Sequence, residues 1–162
     1  MRVINYLIVF FIAVVVYSCQ ETNPVVPDAF TLNGKVTFVD SNFTLGGAGE
    51  YTVYAWRKDN WNPFGGNPVS SQVVNIVKQN NKYVMQYQYR LAEVPSGTYV
   101  ATLMYSDGSS FFKILGVYSC TVPPTDTACY LSPNKYATIR TSEGLLDIDI
   151  TAYGDTANAY TN

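Results

Sequence analysis

Tyr83-Val84-Met85-Gln86-Tyr87-Gln88-Tyr89-Arg90-Leu91 is the stretch that decides the fold. Every odd position is apolar or aromatic, and every even position after Val84 is polar. A period of two places alternate side chains on opposite faces of an extended chain, so one face is buried and the other is wet. Downstream, Pro95-Ser96-Gly97 turns the chain into an apolar run over 98–105, and Asp107-Gly108 turns it again into 111–118. A weaker element over 136–140 and a last strand over 146–152 follow, with Asp147 and Asp149 pointing outward. Upstream, residues 69–77, 51–57 and 30–39 read as strands, the last with Leu32, Gly34, Val36 and Phe38 against more polar neighbours. Seven or eight short strands, turns every 8–12 residues and no helical period predict an all-β sandwich over residues 30–154. Residues 155–162 are expected as a C-terminal tail.

Composition agrees and removes several function classes. Charged residues are 14% and aromatics 15% of 162 residues, with fourteen tyrosines, a balance that favours strands over helices. The net charge is −2 and no basic stripe exists, so no nucleic-acid partner is expected. Histidine is absent, which removes the commonest general base, the commonest zinc ligand and every nucleophile activated by imidazole. No catalytic residues, metal or cofactor are expected.

The N-terminus gives an address. Met1-Arg2 precedes an almost uninterrupted apolar run over 3–16, which ends in Val16-Tyr17-Ser18-Cys19. This run suits a secretory leader and is short for a membrane span. The four closing residues resemble the lipobox of bacterial lipoprotein signals. That resemblance implies cleavage after residue 18, acylation of Cys19 and a protein held to a membrane by lipid. An ordinary signal peptide or an anchor helix is the alternative. Gln20 follows the cysteine where some inner-membrane lipoproteins carry Asp, so the resemblance points to the outer membrane. Removing the 18 leader residues from 162 leaves 144, enough for one domain with its own core. Residues 19–29 contain Pro24 and Pro27 and no apolar period, as expected of a flexible tether. With Cys19 lipidated, Cys120 and Cys129 remain, and export favours a disulfide between them over two free thiols. The intervening residues, with Pro123-Pro124, read as a turn joining two strand ends.

Gly34-Lys35-Val36-Thr37-Phe38, Val53 and Ala55, and above all Val94-Pro95-Ser96-Gly97-Thr98-Tyr99-Val100, resemble carboxypeptidase regulatory-like (transthyretin-like, prealbumin-like) domains. These are Greek-key sandwiches in which a V-P-x-G-x-Y segment precedes a central strand, and the likeness covers residues 30–153. It implies an accessory or binding module without catalytic residues. One transthyretin-like branch hydrolyses 5-hydroxyisourate with histidines, an arginine and a C-terminal Tyr-Arg-Gly-Ser. This chain has no histidine and ends Ala159-Tyr160-Thr161-Asn162. The 61–68 loop and the Cys120–Cys129 insertion depart from the plainest family pattern and leave strand order open.

The remaining motifs are weaker. Asp147 and Asp149, two apart on a strand, form a carboxylate pair or a solvated face that blunts sheet association. Asp40, Asn42 and Thr44 mimic the start of a calcium loop, but Leu45 stands where glycine is needed and Tyr51 where glutamate is needed. Asp126-Thr127-Ala128 and Asp155-Thr156-Ala157 resemble an O-glycosylation acceptor of some Gram-negative lineages. Trp56, Trp61 and Phe64 surround a Gly-Gly loop and are the candidate binding residues, able to stack on sugar rings or grip a partner. The competing possibility is that these rings fold back and seal one end of the sandwich. Two function classes result: a non-enzymatic, lipid-anchored binding or structural module of the cell envelope, with an envelope protein or a glycan as partner, or a carbohydrate-binding accessory lipoprotein of an uptake or degradation system.

Overall fold

The computed structural model describes residues 26–45, 49–62, 66–108, 113–121 and 127–161. The expected leader, Cys19, most of the expected tether and Phe64 lie outside the described residues. The elements are β1 (Leu32–Phe38), β2 (Glu50–Arg57), β3 (Ser70–Val73), β4 (Lys78–Gln79), β5 (Lys82–Tyr83), β6 (Gln86–Leu91), β7 (Gly97–Ser106), β8 (Lys113–Val117), α1 (Thr127–Leu131), β9 (Ala137–Ile139) and β10 (Ile150–Ala152). Short 3-10 turns cover Lys58–Asn60 and Thr156–Asn158.

Two sheets face each other. The first has the order β10-β1-β6, the second β3-β2-β7-β8, with β9 sharing the β8 edge of β7. Pairing is antiparallel except between β1 and β10, where Val36, Thr37 and Phe38 run parallel to Ile150, Thr151 and Ala152. The chain is thus mostly β, as the alternation predicts. Inside, Leu32, Val36, Phe38, Tyr89, Leu91 and Ile150 of the first sheet meet Tyr51, Val53, Ala55, Tyr99, Leu103 and Leu115 of the second. In β6, Tyr89 and Leu91 are buried while Gln86, Gln88 and Arg90 are exposed. The period of two therefore describes the first sheet well.

The second sheet breaks that rule because both its faces are covered. Seven consecutive residues of β7, from Tyr99 to Tyr105, are buried. Odd positions enter the central core. Val100 and Met104 enter a second cluster with Trp56, Ile114, Val117, Cys120, Cys129 and Tyr130. A strand covered on both faces reads as a continuous apolar run rather than an alternation.

Hydrogen bonds close both seams between the sheets. Arg90 N donates to Gln72 Oε1 (2.6 Å) and Ser70 Oγ to the Ala92 carbonyl (2.7 Å), which ties β6 to β3. On the other side Tyr153 N donates to the Leu115 carbonyl (3.1 Å). Leu115 is the extra residue of a bulge, since Leu103 pairs with Gly116 and Met104 with Ile114.

Several expected boundaries move. The strand expected over 69–77 is ordered only over Ser70–Val73, and the one over 83–91 divides into β5 and β6. The last strand shrinks from 146–152 to Ile150–Ala152, because Asp147 adopts φ 59° and bends the chain out of register. Cys129 lies on a helical turn, α1, rather than at a strand end. The expected tail at 155–162 docks instead: Tyr160 exchanges both backbone hydrogen bonds with Ile114 (3.1 and 2.9 Å). Its backbone covers β8, which would otherwise be an open edge.

Candidate functional site

Cys120 follows β8 and Cys129 sits on α1, with their sulfurs joined at 2.03 Å. The bond lays α1 across the outer face of the second sheet. Tyr130 comes next in sequence and is fully buried beneath it. Its hydroxyl approaches the Leu115 carbonyl at 3.4 Å, and burial pushes its pKa well above the usual phenol value.

The candidate rings lie under and beside this cap. Trp56 is 1% exposed, and its indole N–H donates to Thr102 Oγ1 at 3.0 Å. Thr102 is itself fully buried, so the bond satisfies a hydroxyl within an apolar layer. No face of Trp56 is left for a ligand. Trp61 is half-buried, its ring edge-on to Trp56 with centroids 5.6 Å apart. Its N–H donates to the Tyr130 carbonyl at 3.2 Å, satisfying the backbone of α1. Tyr160 packs edge-on to Tyr130 at 6.1 Å. The structure thus brings Trp56 and Trp61 together with both cysteines into a stapled apolar layer, while Phe64 lies outside the described residues.

The family-like segment at 94–100 also has a mechanical explanation. Tyr99 Oη donates to the Pro95 carbonyl at 2.6 Å, closing the turn that feeds β7. Tyr89 Oη donates to the Ile148 carbonyl, and Tyr51 Oη to the Gly154 carbonyl, so interior phenols hold the irregular segments 145–149 and 153–155 in place. Burial raises the pKa of Tyr51, Tyr89 and Tyr99.

The other candidates resolve simply. Asp149 accepts from Lys35 N and pairs with Lys35 Nζ at 3.3 Å across the exposed face of the first sheet. Asp147 sits apart at its bend. Among the described residues, no group of three His, Cys, Asp or Glu is placed to hold a metal ion. Thr156 Oγ1 is half-buried and 2.7 Å from Thr44 Oγ1, and Asp155 caps the turn that follows it by accepting from Ala157 N. Asp126 lies outside the described residues. A cleft of about 450 Å³ opens where the chain enters the sandwich, lined by Phe30, Arg90, Glu93 and Pro95. Arg90 is already paired there with Asp28 at 2.8 Å.

Besides α1, sequence reasoning missed the β4–β5 hairpin. It pairs with neither large sheet and turns through Asn80 and Asn81, both left-handed at φ 51° and 62°. Adjacent asparagines between polar strand residues are the signal for such a turn, since asparagine tolerates that conformation. No protein-family model matches the chain, and neither a curated protein nor a solved structure proves similar to it.

Proposed function

We propose that this chain is a non-enzymatic, lipid-anchored protein of the bacterial cell envelope, an outer-membrane module that binds or scaffolds through a Greek-key sandwich of the carboxypeptidase regulatory-like kind. The observation that carries the proposal is the order of segments at the N-terminus. An apolar leader ends in Val16-Tyr17-Ser18-Cys19, a polar stretch follows, and the first strand begins only at Leu32. A lipid on Cys19 would leave twelve residues between the anchor and β1, enough at about 3.3 Å each to hold the sandwich clear of the headgroups. Two further observations support the module. The disulfide suits an oxidising compartment. The Tyr99 to Pro95 bond gives the V-P-x-G-x-Y segment the structural role expected of a turn entering a central strand.

Labelled fatty acid and fractionation test the anchor. The wild-type chain should incorporate label and sediment with outer membranes, and Cys19→Ala should do neither. Unlabelled wild-type protein, or a Cys19→Ala form that still sediments with membranes, would overturn the proposal. The carbohydrate-binding alternative, placed on Trp61 and Phe64, gains no support from Trp61, whose ring edge and N–H are engaged by Trp56 and Tyr130.

A further inference from the structure

The geometry points to a second, unforeseen site: we propose that the β4–β5 hairpin binds an acidic glycan, a chain of uronate-bearing sugars, at the end of the sandwich away from the tether. Position comes first. Leu32 pairs with Leu91 and Thr37 with Gln86, so β6 starts at the end of β1 remote from Asp28. The hairpin leads into β6 and therefore stands at that far end, about 20 Å from where the tether joins, given the rise of a seven-residue strand. A module anchored through its N-terminus would present this end outward.

The chemistry comes next. Two open concavities flank the hairpin, one of about 580 Å³ and one of about 380 Å³, shaped to take a ligand lying along the surface rather than enclosed. Gln79, Asn80 and Gln86 line the larger, Ser41 and Asn81 the smaller, and Lys82, Tyr83 and Met85 line both. Among the described residues no carboxylate lines either, although the chain carries twelve acidic side chains against ten basic ones. Lys78 Nζ lies 4.5 Å from the centre of the Tyr83 ring, which holds the ammonium without neutralising it. The two ion pairs of the described residues, Lys35–Asp149 and Arg90–Asp28, involve neither Lys78 nor Lys82. Tyr83 is steadied in turn by Phe43, 4.9 Å away and edge-on.

Two ammonium groups with no carboxylate partner among the described residues, one of them over the Tyr83 ring, are flanked by neutral amides and a hydroxyl and match a ligand that offers carboxylates on a hydroxyl-rich frame. The amides donate to and accept from sugar hydroxyls, while the lysines select for acid. Both lysines are exposed and hydrated, so a neutral glycan would gain no attraction from them, and a bare polyanion would leave the amides unused. The site does not depend on lipid at Cys19, and its test is separate from the test of anchoring.

The purified full-length chain in detergent is titrated with oligogalacturonate, with a neutral galactan oligomer of equal length, and with polyphosphate. Oligogalacturonate should bind at least about tenfold more tightly than either, and weaken as salt rises. Lys78→Gln with Lys82→Gln should weaken it by about tenfold or more without moving the melting temperature. Lys78→Arg with Lys82→Arg should retain it, since the charge is kept. Equal binding of the neutral oligomer, polyphosphate binding as tightly as the uronate, or an affinity unchanged by the double Gln substitution would each overturn the proposal.

Discussion

Replacing both Cys120 and Cys129 with alanine should open the cap before it melts the sandwich. The bond closes a short loop, with a sequence separation of 9. Loop-closure entropy for that length is about 2.5 kcal/mol at 25 °C. The lost contacts of two buried sulfurs, each 6% exposed, bring the total to about 3 kcal/mol. For a domain of this size the melting temperature should fall by about 10 °C. The loss should be local, because the central core between the sheets contains neither cysteine. The molecule supplies its own reporter: its two tryptophans, Trp56 and Trp61, both belong to the capped layer. On heating, tryptophan emission of the variant should shift red several degrees before the far-ultraviolet β signal is lost. In the wild type the two transitions should lie closer together. Coincident transitions in the variant, displaced by less than about 2 °C from wild type, would show that the disulfide does not hold this layer closed.

Gly116→Ala should be among the most damaging single substitutions. A Cβ there would stand 2.4 Å from the Thr151 carbonyl oxygen and 2.8 Å from Ala152 Cβ, both parts of β10 and its seam with β8. Chemical denaturation should register a loss of about 3 kcal/mol or more, and a change below about 1 kcal/mol would mean the seam yields easily. High pH should also destabilise the fold. Burial raises the pKa of Tyr51, Tyr54, Tyr89, Tyr99 and Tyr130 above the ordinary value of 10.0. The folded state therefore holds these protons more tightly than the unfolded one. Their contribution is complete below about pH 10 and is lost as pH climbs toward the folded-state values, at up to about 1.4 kcal/mol per pH unit for each tyrosine. Melting temperatures measured between about pH 8 and 12 should stay level at first and then fall steeply, and a flat profile to the top of that range would contradict the buried phenols.

How much could be read in advance follows from what each segment touches. The alternation at 86–91 was legible because the first sheet keeps one face in water, and solvent enforces polar residues at every second position. The turn at Pro95-Ser96-Gly97 was legible because its chemistry is local, completed by a tyrosine four residues on from the proline. The pairing of Cys120 with Cys129 was expected from the export that the N-terminal run suggests and from setting Cys19 aside for lipid, without knowledge of what the bond secured. The ends of the last strand were not legible, since Asp147 leaves the extended conformation and Tyr89 fastens the bend from a distant strand.

The candidate binding loop shows the same limit. Trp56 and Trp61 look alike in sequence, two large rings near glycines and prolines. Whether such a ring faces solvent or an apolar layer depends on what the chain brings over it about seventy residues later, in this case α1 and Tyr130. Sequence alone determined the strand content, the polar face of the first sheet, the absence of imidazole chemistry and the lipobox-like leader, because each rests on residue type or short spacing. Only the tertiary structure decided that the second sheet is covered on both sides, that Tyr160 pairs with its β8 edge, and that neither Lys78 nor Lys82 joins an ion pair among the described residues. Those are facts about which distant segments meet, and the free energy that selects them comes from surfaces buried jointly by segments that carry no mark of one another.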